Sequence, residues 1–459
     1  MTRNIKGMAR HPGDSVQDIL AKDTNPPPAV LKDVSYQYLG DEDVSYDRYT
    51  SRDFYDQEIS KVWSEAWQWA CREEHIPAPG DYYVYDIGRR SFIITRDEEG
   101  VIRAFYNACL HRGTKLKPSG SLGAANCLRC PFHGWTWALD GNLRNVPCDW
   151  DFPKVTENVS AYQLPEARVA TWNGFVFICL SDKTPSLEEF LSPLTAHFSN
   201  WNLEDRYIAI HVEKELGCNW KNAMEAFLEA YHVLETHPQL LEGVSDANIQ
   251  YDTYSDHVSR FIANLGLASP HLDNPPSEQE LLNKMLVGDR SAVDAFTLGE
   301  GETARQVMAA NLRQSLGEAY GRDLSQFSDS EVIDTIEYHV FPNMVLFPGL
   351  SLPMVYRFRP LNDQTERCLF DLVFLRPTPE NGEVTEPAEP IRLKEEDSYA
   401  LVEALDSALA EVYDQDTNNL RHQQEGFWAS KKTGETLSNY QESLIRHFHL
   451  TLDKYMGAP

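Results

Sequence analysis

Residues 107–113, NACLHRG, and 127–137, CLRCPFHGWTW, hold three of the chain's eight cysteines in one short stretch. Cys109 stands two residues before His111, and after 18 intervening residues Cys130 stands three before His133. Each pair fits a hairpin-like loop that brings one thiolate and one imidazole to a common point. A [2Fe–2S] cluster with two cysteines on one iron and two histidines on the other needs that set, and neutral imidazoles raise its potential above that of an all-cysteine cluster. Gly113, Pro131 and Gly134 let the backbone turn tightly and direct amide N–H groups at the sulfurs. The alternatives are a zinc knuckle through Cys127 and Cys130, or buried thiols. A zinc ribbon would pair CxxC with a second CxxC or HxxxH, which is missing. Cys127 reads as a packed thiol.

A cluster of this kind moves electrons and does not itself activate O2 on carbon, so a second metal with open coordination positions is expected. Residues 219–239, NWKNAMEAFLEAYHVLETHPQ, offer it. His232 and His237 lie about one turn apart as a helix ends before Pro238, close enough to face a common ion. Two histidines and one carboxylate on one side of Fe(II) leave three positions for O2 and water. Alone, the pair is weak evidence, because histidines at that spacing also occur on surfaces and in cores.

Together the two blocks resemble the ring-hydroxylating Rieske oxygenases. That family's cluster loops read C-x-H-R-G and C-x-x-H-G-W, and residues 109–113 and 130–135 match both, with a slightly longer spacer between them. Asn219, Trp220, Lys221, Glu225, Phe227, Glu229, Tyr231, His232 and His237 are similar to its catalytic signature. Two departures stand out. Leu228-Glu229 replaces the Gly-Asp of aromatic-ring dioxygenases, a form resembling the branch that includes quaternary-amine monooxygenases. Ala226 stands where an asparagine usually lies near the iron.

The resemblance implies that Cys109, His111, Cys130 and His133 hold the [2Fe–2S] cluster and that His232 and His237 hold a mononuclear Fe(II). It places the third iron ligand on a helix near the C-terminus, where YDQDTNNL, residues 413–420, points to Asp416, with Asp414 and Glu411 as rivals. It also implies a homotrimer, with or without a small beta subunit, in which electrons cross between neighbours through an acid on the ligand histidines. Glu229 resembles that bridge and His133 of the neighbour would be its partner; the alternative is support of His232 within one chain. The electron donor would be a ferredoxin or flavin reductase. Arg103, Arg112, Lys115, Lys117, Arg129 and Arg144 against Asp140 form a basic patch suited to an acidic donor.

Bulk properties agree with an ordinary globular enzyme. The 459 residues exceed what one core usually serves, and 70 acidic against 41 basic residues give a net charge of −29, which repels nucleic acid and anionic membranes. The first thirty residues contain no apolar run of signal-peptide length, and no run is long enough to span a membrane, so a cytoplasmic location is expected. The expected organisation is an N-terminal arm (1–54), a β-rich Rieske domain (55–182) and a catalytic domain (183–459). The fold class is α+β, with an antiparallel sheet packed by helices in the helix-grip, START-like manner that the family implies.

Periodicity predicts a helix over 53–71, strands between Asp81 and Asn107, a hairpin turning at Asn173-Gly174, helices over 219–237 and 304–320, and two strands at LPMVYRFRP and RCLFDLVFLRP. Residues 268–303 read as a surface insertion. The expected reaction is O2-dependent hydroxylation, first of all dioxygenation of an aromatic or polycyclic substrate. The runner-up is monooxygenation or demethylation of an ether or amine, and the rival from another class is a non-catalytic electron carrier or redox sensor.

Overall fold

The computed structural model describes residues 11–291, 296–380 and 386–457. The first ten residues of the expected arm and residues 292–295 of the expected insertion lie outside that set. The chain divides into two compact units: a smaller one, Asp56–Phe190 with Arg359–Gln364, and a larger one from the rest. The smaller unit thus runs to residue 190, where the sequence suggested 182.

The smaller unit is β-rich. Gln68–Arg72 (β1), Asp81–Ile87 (β2), Arg90–Arg96 (β3), Ile102–Tyr106 (β4), Leu122–Ala124 (β5), Glu166–Trp172 (β9) and Phe175–Cys179 (β10) form a sheet in the order β1-β10-β9-β4-β3-β2-β5. Leu128–Arg129 (β6), Thr136–Trp137 (β7) and Leu143–Asn145 (β8) form a second, three-stranded sheet. The hairpin β9–β10 turns at Asn173 and Gly174 with φ of 49° and 77°, the positive pair that a two-residue turn needs. One expectation fails here. The helix expected over 53–71 stops at Glu65 (α1, Arg52–Glu65), and Gln68–Arg72 is a strand, buried at every residue and antiparallel to β10. Pairing with a segment a hundred residues away overrides the local helical period.

The larger unit holds an eight-stranded sheet: Arg206–Leu216 (β11), Gln250–Thr253 (β12), Val258–Ala263 (β13), Thr335–Val340 (β14), Met344–Leu346 (β15), Met354–Pro360 (β16), Cys368–Pro377 (β17) and Ile391–Leu393 (β18). Its order is β12-β13-β14-β15-β16-β17-β11-β18; the registered neighbours are antiparallel except β18, which runs parallel to β11. The expected helix over 219–237 is interrupted. Trp220–Glu225 (α2) ends before an irregular stretch, and Val233–Thr236 (α3) forms one further turn. The expected insertion is more than surface: Glu278–Val287 (α4) packs Leu281 and Leu282 against Ala304–Tyr320 (α5).

Two C-terminal helices complete the unit, Ser407–Ala429 (α6) and Ser443–Met456 (α7). α6 buries Tyr413, Asp416, Thr417, Leu420 and Gln424, one stripe at helical spacing, which lies along α2 and β11. Tyr413 meets Tyr356 of β16 with hydroxyl oxygens 2.6 Å apart, and the Asn219 N–H donates to Gln424 at 2.9 Å. α7 lies along β12 and β13 and places Phe448 5.8 Å from His339 of β14. No helix among the described residues is long and apolar enough to cross a membrane.

Gly141 closes the turn between β7 and β8 at φ +83°, and a Cβ there would lie 2.5 Å from the ring of buried Phe105. Gly141→Ala should cost about 1–2 kcal/mol for the left-handed backbone, with about 1–3 kcal/mol more for overpacking. The midpoint for thermal loss of the cluster's visible absorption should fall by at least about 4 °C.

Candidate functional site

The two cysteine–histidine loops have one geometry. Gly113 N–H donates to the Cys109 carbonyl at 2.9 Å and Gly134 N–H to the Cys130 carbonyl at 3.1 Å, with φ of 79° and 75° at the glycines. The loops then close by Cys109 N–H to Thr114 O, 2.9 Å, and Cys130 N–H to Trp135 O, 2.8 Å. Both thiols are buried, and the two imidazoles lie with ring centroids 4.7 Å apart. Burial pushes the Cys109 thiol up, against the N–H groups of His111 and Arg112 aimed at its sulfur. Burial works the same way on Cys130, but the N–H groups of His133 and Phe132 outweigh it and hold that thiol below its ordinary range.

His111 lies flat on the buried Trp135 ring, 5.2 Å away and 4° from parallel, and its Nδ1 is buried without a hydrogen-bond partner. An orphaned ring nitrogen beside a second imidazole and two thiols that accept backbone N–H groups fits a two-iron cluster. His133 and its neighbour Phe132 are exposed, whereas His111 is only partly so. Cys127 is half-buried and free.

The expected basic patch is partly neutralised. Arg103 pairs with Asp97, Lys115 with Asp86 and Arg144 with Glu98. Arg112, over the Phe132 ring, Lys117, over the Tyr82 ring, and Arg129 have no acidic partner among the described residues. The uncompensated charge therefore gathers around the cysteine–histidine loops.

In the larger unit, His232 and His237 flank the single turn α3 as its first and last caps, and their rings lie 5.2 Å apart. Asp416, from the buried stripe of α6, brings Oδ1 to 2.7 Å from His237 Nε2 and 3.5 Å from His232 Nε2. These three atoms could hold one metal ion. The other ring nitrogens are occupied: His232 Nδ1 lies 2.5 Å from Glu229 Oε1, and His237 Nδ1 lies 2.7 Å from Gln415 Oε1. Both neighbours are acceptors, which fixes the proton on Nδ1 and leaves each Nε2 lone pair for a metal. Glu229 also accepts the His232 backbone N–H through Oε2, 3.1 Å. Burial opposes a charge on His232, but Glu229, and then Asp416, outweigh it and push the imidazole up to about 9.

The rivals for Asp416 point elsewhere. Asp414 accepts from Ser398 and the Tyr399 N–H, and Glu411 is exposed. A second grouping, His211, Glu213 and Asp371, has its aspartate already taken by Arg357 in two bonds of 3.0 Å and is a structural ion pair. A cavity of about 570 Å3 reaches the His232 and Asp416 side chains and is also lined by Glu225, Glu229, Glu435 and Glu442, with no lysine or arginine among its lining residues. Ala226 and Asn222 line it too, and Asn222 Oδ1 is buried without a partner. Sequence reading assigned no role to Gln415 or Asn222. Gln415 had a usable signal, since it directly precedes Asp416.

Residues 195–458 match the ring hydroxylating alpha subunit catalytic domain, and residues 66–157 match the Rieske [2Fe-2S] domain. The chain belongs to the ring-hydroxylating Rieske oxygenase alpha-subunit family. The cofactors of such a Rieske oxygenase are a [2Fe–2S] cluster and a mononuclear iron. The glycine betaine monooxygenase oxygenase subunit of Chromohalobacter salexigens is 30% identical over 54% of this chain and 55% of its own length. The carnitine monooxygenase oxygenase subunit of Acinetobacter pittii is 33% identical over 45% and 54%. The anthranilate 1,2-dioxygenase large subunit of Acinetobacter baylyi is 30% identical over 42% of each. The chain thus spans about half the length of the curated relatives it matches.

Among solved structures, a quaternary ammonium Rieske monooxygenase and a naphthalene 1,2-dioxygenase variant bound to phenanthrene each give a TM-score of 0.64 at 18% identity. They cover 90% and 93% of this chain and 95% and 94% of their own. At that identity they show the fold.

Asp416→Asn or His237→Ala should lower mononuclear iron content while leaving the cluster's visible spectrum, and Asp414→Asn should leave both. Cys109→Ser should bleach the cluster and spare the iron. Metal analysis beside absorption spectroscopy checks all four, and loss of both metals in every folded variant would overturn the two-site assignment.

Proposed function

We propose that the protein is the oxygenase component of a Rieske system that monooxygenates a quaternary ammonium substrate at a carbon bonded to nitrogen. The observation that carries the oxygenase reading is the convergence of His232 Nε2, His237 Nε2 and Asp416 Oδ1 on one point, with both Nδ1 atoms held. The substrate class is supported by the glycine betaine and carnitine monooxygenase relatives and by Leu228-Glu229 in place of Gly-Asp.

When bound, the cluster passes single electrons and the iron activates O2. Cys109, His111, Cys130 and His133 hold the one, and His232, His237 and Asp416 hold the other. Glu229 and Gln415 fix the ring orientation of the two ligand histidines. One O2, two electrons and two protons convert a C–H bond to C–OH and release water. Where the carbon is an N-methyl group, the N-hydroxymethyl product breaks its C–N bond to give tertiary amine, formaldehyde and a proton.

Electrons reach the iron from a neighbouring copy in a homotrimer. The exposed His133, with Arg112 and Arg129 nearby in the sequence, suits the carboxylate-lined cavity at Glu229 in sign of charge. Each carboxylate oxygen accepts two hydrogen bonds, so Glu229 can hold His232 and still receive a partner's N–H. The donor to the cluster is a ferredoxin or flavin reductase, steered by the uncompensated Arg112, Lys117 and Arg129. A second reading, dioxygenation of an aromatic acid, is favoured by the anthranilate dioxygenase relative.

With a reducing donor present, O2 uptake should be coupled to product with glycine betaine or carnitine and absent with anthranilate and naphthalene. Coupled uptake with the aromatic compounds alone would replace this reading by the second. Glu229→Gln should keep both metals and near-normal reduction of the cluster by donor, while turnover falls about 10–100-fold or more. Stopped-flow reoxidation of the cluster with O2 and substrate checks it, and reoxidation at the wild-type rate would leave Glu229 as support for His232 only.

A further inference from the structure

β14 alternates between two environments. Tyr338 turns to one face of the sheet, where its ring packs 5.1 Å from Phe198. Glu337 and His339 turn to the other, where His339 meets Phe448 of α7. Glu337 is 3% exposed and its Oε1 has no hydrogen-bond partner. Burial, with the Glu229 carboxylate adding to it, pushes the Glu337 carboxyl well above the usual range with no cation to offset either effect, so the group keeps its proton until a bound cation draws it off. A buried carboxyl left this way is a cost without a structural return, unless something absent from the chain itself completes it.

The register shows what surrounds it. Phe261 of β13 stands directly opposite Glu337, and Tyr251 of β12 stands opposite Phe261 in turn, with their rings 6.0 Å apart. On the other side, Val345 pairs with both His339 and Tyr356, so Tyr356 shares this face, and the Phe347 ring packs 4.9 Å from it. Around Glu337 the wall therefore carries the rings of Tyr251, Phe261, Phe347 and Tyr356, with His339 farther along the same face. It also lies close to the triad. Tyr356 and Tyr413 both feel the charges of Glu337 and Asp416, and the Ala230 N–H, beside Glu229, reaches the Tyr251 hydroxyl at 3.4 Å.

A quaternary ammonium group has no N–H to donate. It is recognised by ring faces and by an anion that offers charge without asking for a hydrogen bond. An aromatic hydrocarbon has no use for a buried acid, and an aromatic carboxylate would be repelled by one. We infer that Glu337, set among Tyr251, Phe261, Phe347 and Tyr356, is the counter-charge that binds the substrate's ammonium group and so selects cationic substrates. This rests on the quaternary-amine reading above and adds the residue that enforces it. Among the described residues no hydrogen bond or ion pair joins Glu337 to His232, His237 or Asp416, and its role is to bind and orient the substrate.

The test uses the full-length protein with both metals in place. Choline and its uncharged carbon isostere, 3,3-dimethylbutan-1-ol, serve as probes, with binding read by calorimetry and turnover by O2 uptake with glycine betaine and carnitine. Wild type should bind choline about tenfold more tightly than the alcohol. Glu337→Gln should bring the two affinities to within about threefold by weakening choline alone, and should raise KM for the cationic substrate more than it lowers kcat. Glu337→Asp, which keeps the charge on a shorter arm, should fall between. Unchanged choline binding and KM in Glu337→Gln, with cluster spectrum and iron content intact, would overturn this inference and leave the quaternary-amine reading standing. If wild type fails to prefer cation over isostere and consumes only aromatic compounds, that reading falls first. Should Glu337→Gln lose its metals, the wild-type preference and the Glu337→Asp series decide the matter, and absence of either effect counts against the inference.

Discussion

Asp416 and His237 are 179 residues apart in sequence, yet their side chains must meet at hydrogen-bond distance with a second imidazole alongside. Only a helix pinned along its length can place a carboxylate that accurately. α6 is pinned at Tyr413 by Tyr356, at Thr417 by the Lys214 ammonium 3.4 Å away, at Leu420 by the Asn222 amide, and at Gln424 by Asn219. Those contacts recur every three or four residues on the face that carries Asp416, so the helix cannot rotate without breaking several of them. The histidines are fixed from the other direction. Pro238 and the single turn α3 set their separation, and Glu229 and Gln415 set their rotation.

Glu225, Glu229, Asp416, Glu435 and Glu442 gather where this apparatus opens. Glu225 and Glu435 share the Tyr49 hydroxyl, and His449 meets Glu225 at 2.8 Å. Burial, with mutual repulsion, pushes Glu435 up to about 9, and burial lifts Glu225 to about 7 even against the Tyr49 bond and Lys221. Carboxyl groups this close cannot all ionise together. The cavity can therefore hold several acids and still be tolerated, with part of its charge neutralised by protons.

Much of this was legible in the sequence, and for one reason. Cys109 to His111, Cys130 to His133 and His232 to His237 are local spacings, and a turn or short loop converts each directly into geometry. Asp416 came from the family resemblance, by counting back from the Asn-Leu pair, and the structure places its carboxylate beside both histidines. What failed was non-local. Residues 67–71 carry apolar side chains that suit a helix face or a strand buried on both sides, and only the pairing with Phe175–Cys179 decides between them. Residues 226–232 read as helix because Phe227, Leu228 and Tyr231 keep helical spacing. In the fold the chain unwinds there, and Phe227 joins the rings of Tyr356, Phe358 and Phe370. Glu337 gave no signal at all, since an acid in TIEYHV is ordinary until the register says which face points inward.

The carboxylate cavity and the sheet wall near the triad are built from different residues. None of Tyr251, Phe261, Glu337 and Tyr356 lines the carboxylate cavity, and none of the cavity's glutamates lies on the sheet wall. His232, with a quarter of its side chain exposed, faces the cavity, while His237 is buried. Their Nδ1 partners differ in the same sense: a carboxylate for His232, a neutral amide for His237. A carboxylate acceptor makes its imidazole the stronger electron donor and gives it a charged route to the outside, whereas an amide only holds orientation. The two histidines thus differ in the acceptor behind each: Glu229, three residues before His232, and Gln415, which directly precedes Asp416 on α6. In the proposed reading, electron delivery falls to Glu229 and the acid-lined opening, and substrate to the aromatic wall around Glu337, whose carboxyl would set the sign of charge held there.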